Sequence, residues 1–134
     1  MAERPFLDTN VVLYLLSADR PKAERAEALL ARRGVVSVQV LNEIANVAIR
    51  KLGLTWRELG DLIEAVRSSC DVRPLTEEVH EQARELAEQY RLSFYDAVIV
   101  SSALDAGCRV LYSEDMQHGL RIERTLTLRD PFLR

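Results

Sequence analysis

Cysteine, histidine, lysine and glycine are all scarce in this chain, and each shortage removes a class of chemistry. The two cysteines, Cys70 and Cys108, have no C-x-x-C spacing and lie near apolar segments, so free buried thiols are expected. The two histidines, His80 and His118, stand in no H-x-x-x-H or H-E-x-x-H context, which leaves zinc without its usual ligands. The five glycines form no P-loop, G-x-G-x-x-G or G-x-S-x-G pattern, so nucleotide-triphosphate, dinucleotide and serine-nucleophile chemistries lose their usual support. Lys22 and Lys51 are the only lysines, and neither follows a late strand, where a phospho-acceptor receiver domain requires one. Long hydrophobic runs are also missing. The longest, Val11 to Leu16, is far short of a membrane span. The N-terminal Met1-Ala2-Glu3-Arg4-Pro5 leads into no apolar stretch of signal-peptide length, because Asp8 and Asn10 interrupt it. A cytoplasmic location is expected.

What remains is an ordinary globular composition. At 134 residues, 48% apolar and 29% charged, the chain is expected to form one domain over residues 1–134, able to bury a core without staples. There is no low-complexity stretch, linker or solenoid repeat. The net charge of −3 argues mildly against a nucleic-acid partner. Two divalent cations held by acidic side chains would carry that formal charge to +1 and invert its sign locally. Sixteen arginines also supply the better bidentate phosphate ligand.

Short apolar segments alternate with helical patterns. Strands are expected near 4–8, 35–37, 72, 109–112 and, more weakly, 125–128. Helices are expected at 10–17, 22–33 and 38–52. A fourth follows the capping box Thr55-Trp56-Arg57-Glu58, with Trp56, Leu59, Leu62, Ile63 and Val66 as its apolar stripe. Thr76 and Ser93 cap two more, and the second is apolar on all sides from Ala97 to Val100, as a buried helix is. Gly34, Gly53 and Gly107 follow helical segments where a left-handed residue would end them. Such alternation implies an α/β fold with a mostly parallel sheet and helices on both faces.

Four acids far apart in sequence sit where elements begin or end: Asp8, Glu43, Asp96 and Asp115. Asp8 closes the first strand and Asp115 lies just past the fourth, so both fall at carboxyl ends of strands, where open α/β sheets bind ligands. Each also has a plain structural explanation. Asp8 or Thr9 could cap the following helix, Glu43 could lie on a polar stripe with Asn42 and Asn46, Asp96 could complete a capping box with Ser93, and Ser113-Glu114-Asp115 could be a surface turn. Carboxylates that converge repel one another unless a cation holds them, and oxygen-only ligation suits Mg²⁺ or Mn²⁺ better than zinc.

With Leu7-Asp8-Thr9-Asn10, Leu41-Asn42-Glu43, Tyr95-Asp96-Ala97 and Leu111-Tyr112-Ser113-Glu114-Asp115 in this order and spacing, the chain resembles the PIN-domain family, and within it the VapC-type toxin ribonucleases of toxin–antitoxin modules. The resemblance covers essentially the whole chain. It implies a three-layer α/β/α sandwich with a parallel sheet in the order 3-2-1-4-5, which would set Asp8 and Asp115 across one crevice. It also implies an endoribonuclease dependent on Mg²⁺ or Mn²⁺. Asp8, Glu43, Asp96 and Asp115 carry over as the catalytic acids, with Asp8, Asp96 and Asp115 on the metal and Glu43 orienting or deprotonating water. Thr9, Asn10 and Ser113 are their polar support, and Glu114 competes with Asp115 for the inward position. The implied partners are an RNA substrate, a second copy in a homodimer and an antitoxin; an RNA-processing nuclease without antitoxin, or a non-catalytic RNA- or partner-binding module, are the alternatives.

Overall fold

Five parallel strands form the centre of the molecule, and their burial shows that helices cover both faces. The computed structural model describes residues 4–133; the targeting-segment reading of Met1 to Glu3 lies outside them. The strands are β1 (Phe6–Leu7), β2 (Val35–Ser37), β3 (Asp71–Arg73), β4 (Val110–Tyr112), β5 (Arg121–Ile122) and β6 (Leu126–Arg129), in the order β3-β2-β1-β4-β6-β5. All neighbours are parallel except β5, which pairs antiparallel with β6. Adjacent residues of a strand point to opposite faces, yet Phe6 and Leu7 are both fully buried, as are Val35 and Val36. The result is an α/β/α sandwich. The expected strand at 125–128 is β6, in its expected place beside β4; the short β5 at the edge is an addition.

The helices are α1 (Thr9–Leu13), continued by a 3₁₀ turn at Tyr14–Leu16, then α2 (Arg20–Ala31), α3 (Val38–Arg50), α4 (Trp56–Ser69), α5 (Glu77–Tyr90) and α6 (Phe94–Asp105). Their caps are those the sequence signals. Thr55 and Glu58 close a reciprocal capping box, and Thr76 and Ser93 each accept a bond from the third residue on. Helix α6 has a buried run from Ala97 to Ala103, where it packs against α5, α3 and strands β2 and β4. Trp56 departs from expectation. It is 74% exposed, because at the first helical position it precedes the turn at which Leu59 and Val66 meet the core.

Gly34 also differs from expectation. Arg33 takes the left-handed backbone, with φ of 54°, while Gly53 and Gly107 adopt it as expected at 68° and 74°. Gly34 is needed for closeness instead: a Cβ there would stand 3.0 Å from the Pro5 carbonyl oxygen and 3.1 Å from Leu7 Cδ1, so β1 and β2 could not keep this spacing. Cys70 and Cys108 are buried and free, with burial pushing both thiols up to about 11. No helix among the described residues is long and apolar enough to cross a membrane.

Candidate functional site

The register of two central strands builds the site. Phe6 pairs with Leu111 and Leu7 with Tyr112, so the next residues, Asp8 and Ser113, emerge side by side. Backbone bonds fix the junction: Asp8 N–H donates to the Tyr112 carbonyl at 3.0 Å, and Ser113 N–H to the Arg129 carbonyl at 2.9 Å. Strand β1 is where the winding of the sheet changes direction, since chain order runs outward from it to β2 and β3 and then returns to β4 on its other side. A crevice at such a point is open because the flanking connections leave in opposite directions.

Asp8 forms the floor. It is only 5% exposed, and its partners are all neutral: Thr9 N–H to Oδ1 at 2.7 Å, the Ser113 hydroxyl to Oδ2 at 2.8 Å and the Asn10 side-chain amide to Oδ2 at 3.3 Å. Burial pushes its carboxyl from 3.8 up to about 7; the Ser113 and Thr9 bonds oppose this, and the charges of Glu43 and Asp96 add to it. Asp8 does cap α1, as its structural alternative holds. The same side chain still faces two other acids, so capping is not its whole environment.

Glu43 lies on α3, which starts directly at the end of β2 under the buried cap Ser37. Thr9 donates its hydroxyl to Glu43 Oε1 at 2.7 Å, and Gln39, one helical turn earlier, donates to Oε2 at 3.1 Å. The carboxylate plane is thereby fixed from two sides. Asp96, in the first turn of α6, stands opposite. Burial pushes its carboxyl up, the Ser93 hydrogen bond opposes, and the charges of Glu43 and Asp115 push it further up.

The turn after β4 separates its two acids. Asp115 faces the crevice, where its Oδ2 accepts from the Asn10 amide at 3.1 Å. Glu114 turns aside to Lys22 and Tyr14, at 2.7 and 2.6 Å, and those bonds hold its carboxyl below the usual range. Asn10 joins both: its Oδ1 accepts from Glu114 N–H at 2.9 Å, which leaves its amide aimed at Asp8, Ser113 and Asp115. Thus the structure brings Asp8, Thr9, Asn10, Glu43, Asp96, Ser113 and Asp115 to one crevice. Sequence reasoning missed Gln39 and the Lys22–Tyr14–Glu114 cluster. The four-residue spacing of Gln39 and Glu43 on one helix was the available signal for the first; Lys22 carries none.

The donor chemistry of the crevice fits a hard divalent cation, since its acids offer oxygen alone and the buried Asp8 has only neutral partners. Among the described residues, however, no three acidic, histidine or cysteine side chains are gathered into a formed metal cage. The acids line a common crevice and are not closed upon its centre.

Known proteins agree with this architecture. The protein-family model for the PIN domain matches residues 6–119. No curated protein matches. Among solved structures, a toxin–antitoxin complex from Klebsiella pneumoniae superposes with a TM-score of 0.73 at 19% identity, over 96% of this chain and 98% of that one. DNA-bound VapBC from Salmonella typhimurium gives 0.70 at 22% identity, over 97% and 99%. VapC20 of Mycobacterium tuberculosis, a sarcin-ricin-loop-cleaving toxin, gives 0.64 at 23% identity, over 80% and 86%. A family match spanning most of the chain, together with this fold, establishes that the chain belongs to the PIN domain family.

Proposed function

We propose that this chain is a divalent-cation-dependent endoribonuclease that hydrolyses RNA phosphodiester bonds, and that it is the toxin of a toxin–antitoxin pair. The observation that carries the reading is Asp8: a carboxyl buried at the switch point of the sheet, pushed up to about 7, with neutral groups on its oxygens and the charges of Glu43 and Asp96 behind it. A group so placed gains from either a proton or a cation, and an RNA phosphate adds further negative charge to the same crevice. Membership of the PIN domain family and likeness in fold to VapC20, described as a sarcin-ricin-loop-cleaving toxin, support the same reaction.

In this mechanism Asp8 and Asp96 would be the principal ligands of Mg²⁺ or Mn²⁺, and Asp115 a ligand or a water-mediated partner. A cation held there would supply a lowered pKa for a bound water and would offset charge on the phosphate oxygens. Glu43 orients the attacking water and takes its proton, held in aim by Thr9 and Gln39. As the water oxygen bonds to phosphorus, the bond from phosphorus to the leaving ribose oxygen breaks, and that oxygen takes up a proton from solvent water. Asn10 and Ser113 keep Asp8 and Asp115 in register throughout.

The acting unit is a single domain over residues 1–134, working in the cytoplasm as a homodimer. Its antitoxin lays a C-terminal segment over a groove of about 340 Å³ lined by Leu13, Tyr14, Leu16, Val47 and Leu52, with Asn10 and Glu114 at the end nearest the acids. Leu16 and Leu52 are about half exposed there, which suits an apolar segment. An Arg or Lys of that segment would compete with the cation for the carboxylates. The test is cleavage of a panel of structured and single-stranded RNAs: activity that vanishes with EDTA and returns with Mg²⁺ or Mn²⁺ is expected, and full activity in chelator overturns the reading. Co-expression with the product of the adjacent gene should give a stable, inhibited complex; failure to associate, with harmless overexpression of the lone chain, favours RNA processing without an antitoxin.

A further inference from the structure

Beside the crevice lies a cluster that the mechanism above does not use. Lys22 Nζ stands 2.7 Å from Glu114 Oε2 and 3.1 Å from the Tyr14 hydroxyl oxygen, and that hydroxyl donates to Glu114 Oε1 at 2.6 Å. The ammonium lies 4.6 Å from the Tyr14 ring centroid and 5.3 Å from that of Phe132. Phe132 meets Tyr14 edge-on at 4.7 Å, and Arg25 Nε ties the neighbouring Pro131 carbonyl at 3.1 Å. Tyr14 and Lys22 therefore converge on one glutamate and occupy both of its oxygens, while Phe132 packs against the pair.

Stability alone does not account for this arrangement. The Lys22 and Glu114 side chains are each about a third exposed, and ion pairs of that exposure add little to folding. The position of Glu114 matters more. Its backbone N–H is the donor that fills Asn10 Oδ1, and this bond decides which way the Asn10 amide faces. That amide then reaches Asp8 Oδ2 and Asp115 Oδ2, the two acids contributed by neighbouring strands. Asp115 is also the next residue after Glu114, so any rotation of the turn moves it directly.

We propose that Lys22 and Tyr14 are positioning residues for the acidic crevice: by gripping both oxygens of Glu114 they fix the turn that carries Asp115 and the Asn10 amide that spans Asp8 and Asp115. The inference deepens the reading of the crevice as a cation site and rests on it for its effect on metal affinity. The grip has a second consequence. It keeps a fifth carboxylate out of the crevice, so the charge presented there is set by four acids. Phe132 takes part, because it meets the Tyr14 ring edge-on and borders the Lys22 ammonium.

The experiment compares wild type, Lys22→Met and Lys22→Arg by two readouts. The first is the side-chain amide resonances of Asn10 in the ¹⁵N NMR spectrum of the metal-free protein. The second is Mn²⁺ affinity by calorimetry. Lys22→Met should shift the Asn10 amide signals toward those of a free amide, with backbone signals away from the turn retained. It should also weaken Mn²⁺ binding by about tenfold, the loss typical of groups that orient a metal ligand. Lys22→Arg should restore both. Asn10 signals or an Mn²⁺ affinity unchanged in Lys22→Met overturn the proposal, as does equal damage in the arginine variant with a large drop in melting temperature. Should the Asn10 signals respond as stated while wild type binds no Mn²⁺, the clamp stands and the cation reading of the crevice falls.

Discussion

Asp8 and Glu114 are both acids just beyond the carboxyl ends of adjacent strands, and the protein treats them in opposite ways. Glu114 meets an ammonium at 2.7 Å and a phenol at 2.6 Å, and its carboxyl is held low. Asp8, a few residues away in space, receives only a hydroxyl, an amide and a backbone N–H, and burial carries it up to about 7. The amino edge of the sheet repeats the first pattern, where Arg4 pairs with Asp71 at 3.2 Å. The difference teaches where the fold supplies its own cations. Glu114 and Asp71 are paired with basic residues, whereas the acid on the crevice floor is bonded to neutral groups.

Removing the unpaired acid should have the largest effect. Asp8→Asn and Asp96→Asn keep shape and capping capacity, so RNA cleavage should fall by about a hundredfold or more while the metal-free melting temperature holds or rises as repulsion eases. A melting temperature that falls along with activity would restore capping as the main role of these residues. Next in size is Glu43→Gln, which keeps one acceptor oxygen for the Thr9 hydroxyl and puts an amide NH₂, which Gln39 can meet by turning its own amide, where the second oxygen was, but cannot take a proton. A loss of about a hundredfold to ten-thousandfold in kcat with near-normal KM is expected.

A pH series sharpens the contrast without any substrate. The folded Asp8 carboxyl titrates near 7 and the unfolded one near 3.8, so the folded state holds a proton that the unfolded state has released. Its contribution to stability is complete below about pH 4 and is lost as pH rises through about 7. The metal-free protein should therefore melt at lower temperature at pH 8 than at pH 5, and Asp8→Asn should flatten that slope. The smallest effect belongs to the amino edge: Arg4→Ala should cost under about 1 kcal/mol and leave cleavage unchanged, because both partners of that pair are half exposed.

Much of this arrangement was legible in the residues because local rules and the global fold coincide. Thr55, Thr76 and Ser93 announce helices that the structure starts at those points, and the uniformly apolar stretch around Ala97 announces the buried α6. Asp8 and Asp115 stood out because they follow apolar strands, whereas Glu43 and Asp96 lie on helices and were picked out by the order and spacing of the four motifs. What escaped was set by distance in the chain. Lys22 and Glu114 are 92 residues apart and joined by no periodicity. The choice between Glu114 and Asp115 depended on that contact, and neighbouring residues of a turn look alike until the lysine is placed. Strand β5 is two residues long and pairs only at the sheet edge, too short for alternation to reveal. Trp56 misled because helical spacing identifies a stripe, whereas the first turn of a helix can overshoot the surface that the stripe packs against.

The central claim is that the crevice floor lacks a positive charge which a divalent cation supplies. Carboxyl ¹³C NMR of Asp8, followed through a pH titration with and without saturating Mg²⁺, measures this at the atom concerned. The account predicts a transition near pH 7 in the metal-free protein and its displacement below about pH 5 when Mg²⁺ is present, since the cation favours the ionised form. A transition at the same pH in both conditions would contradict it.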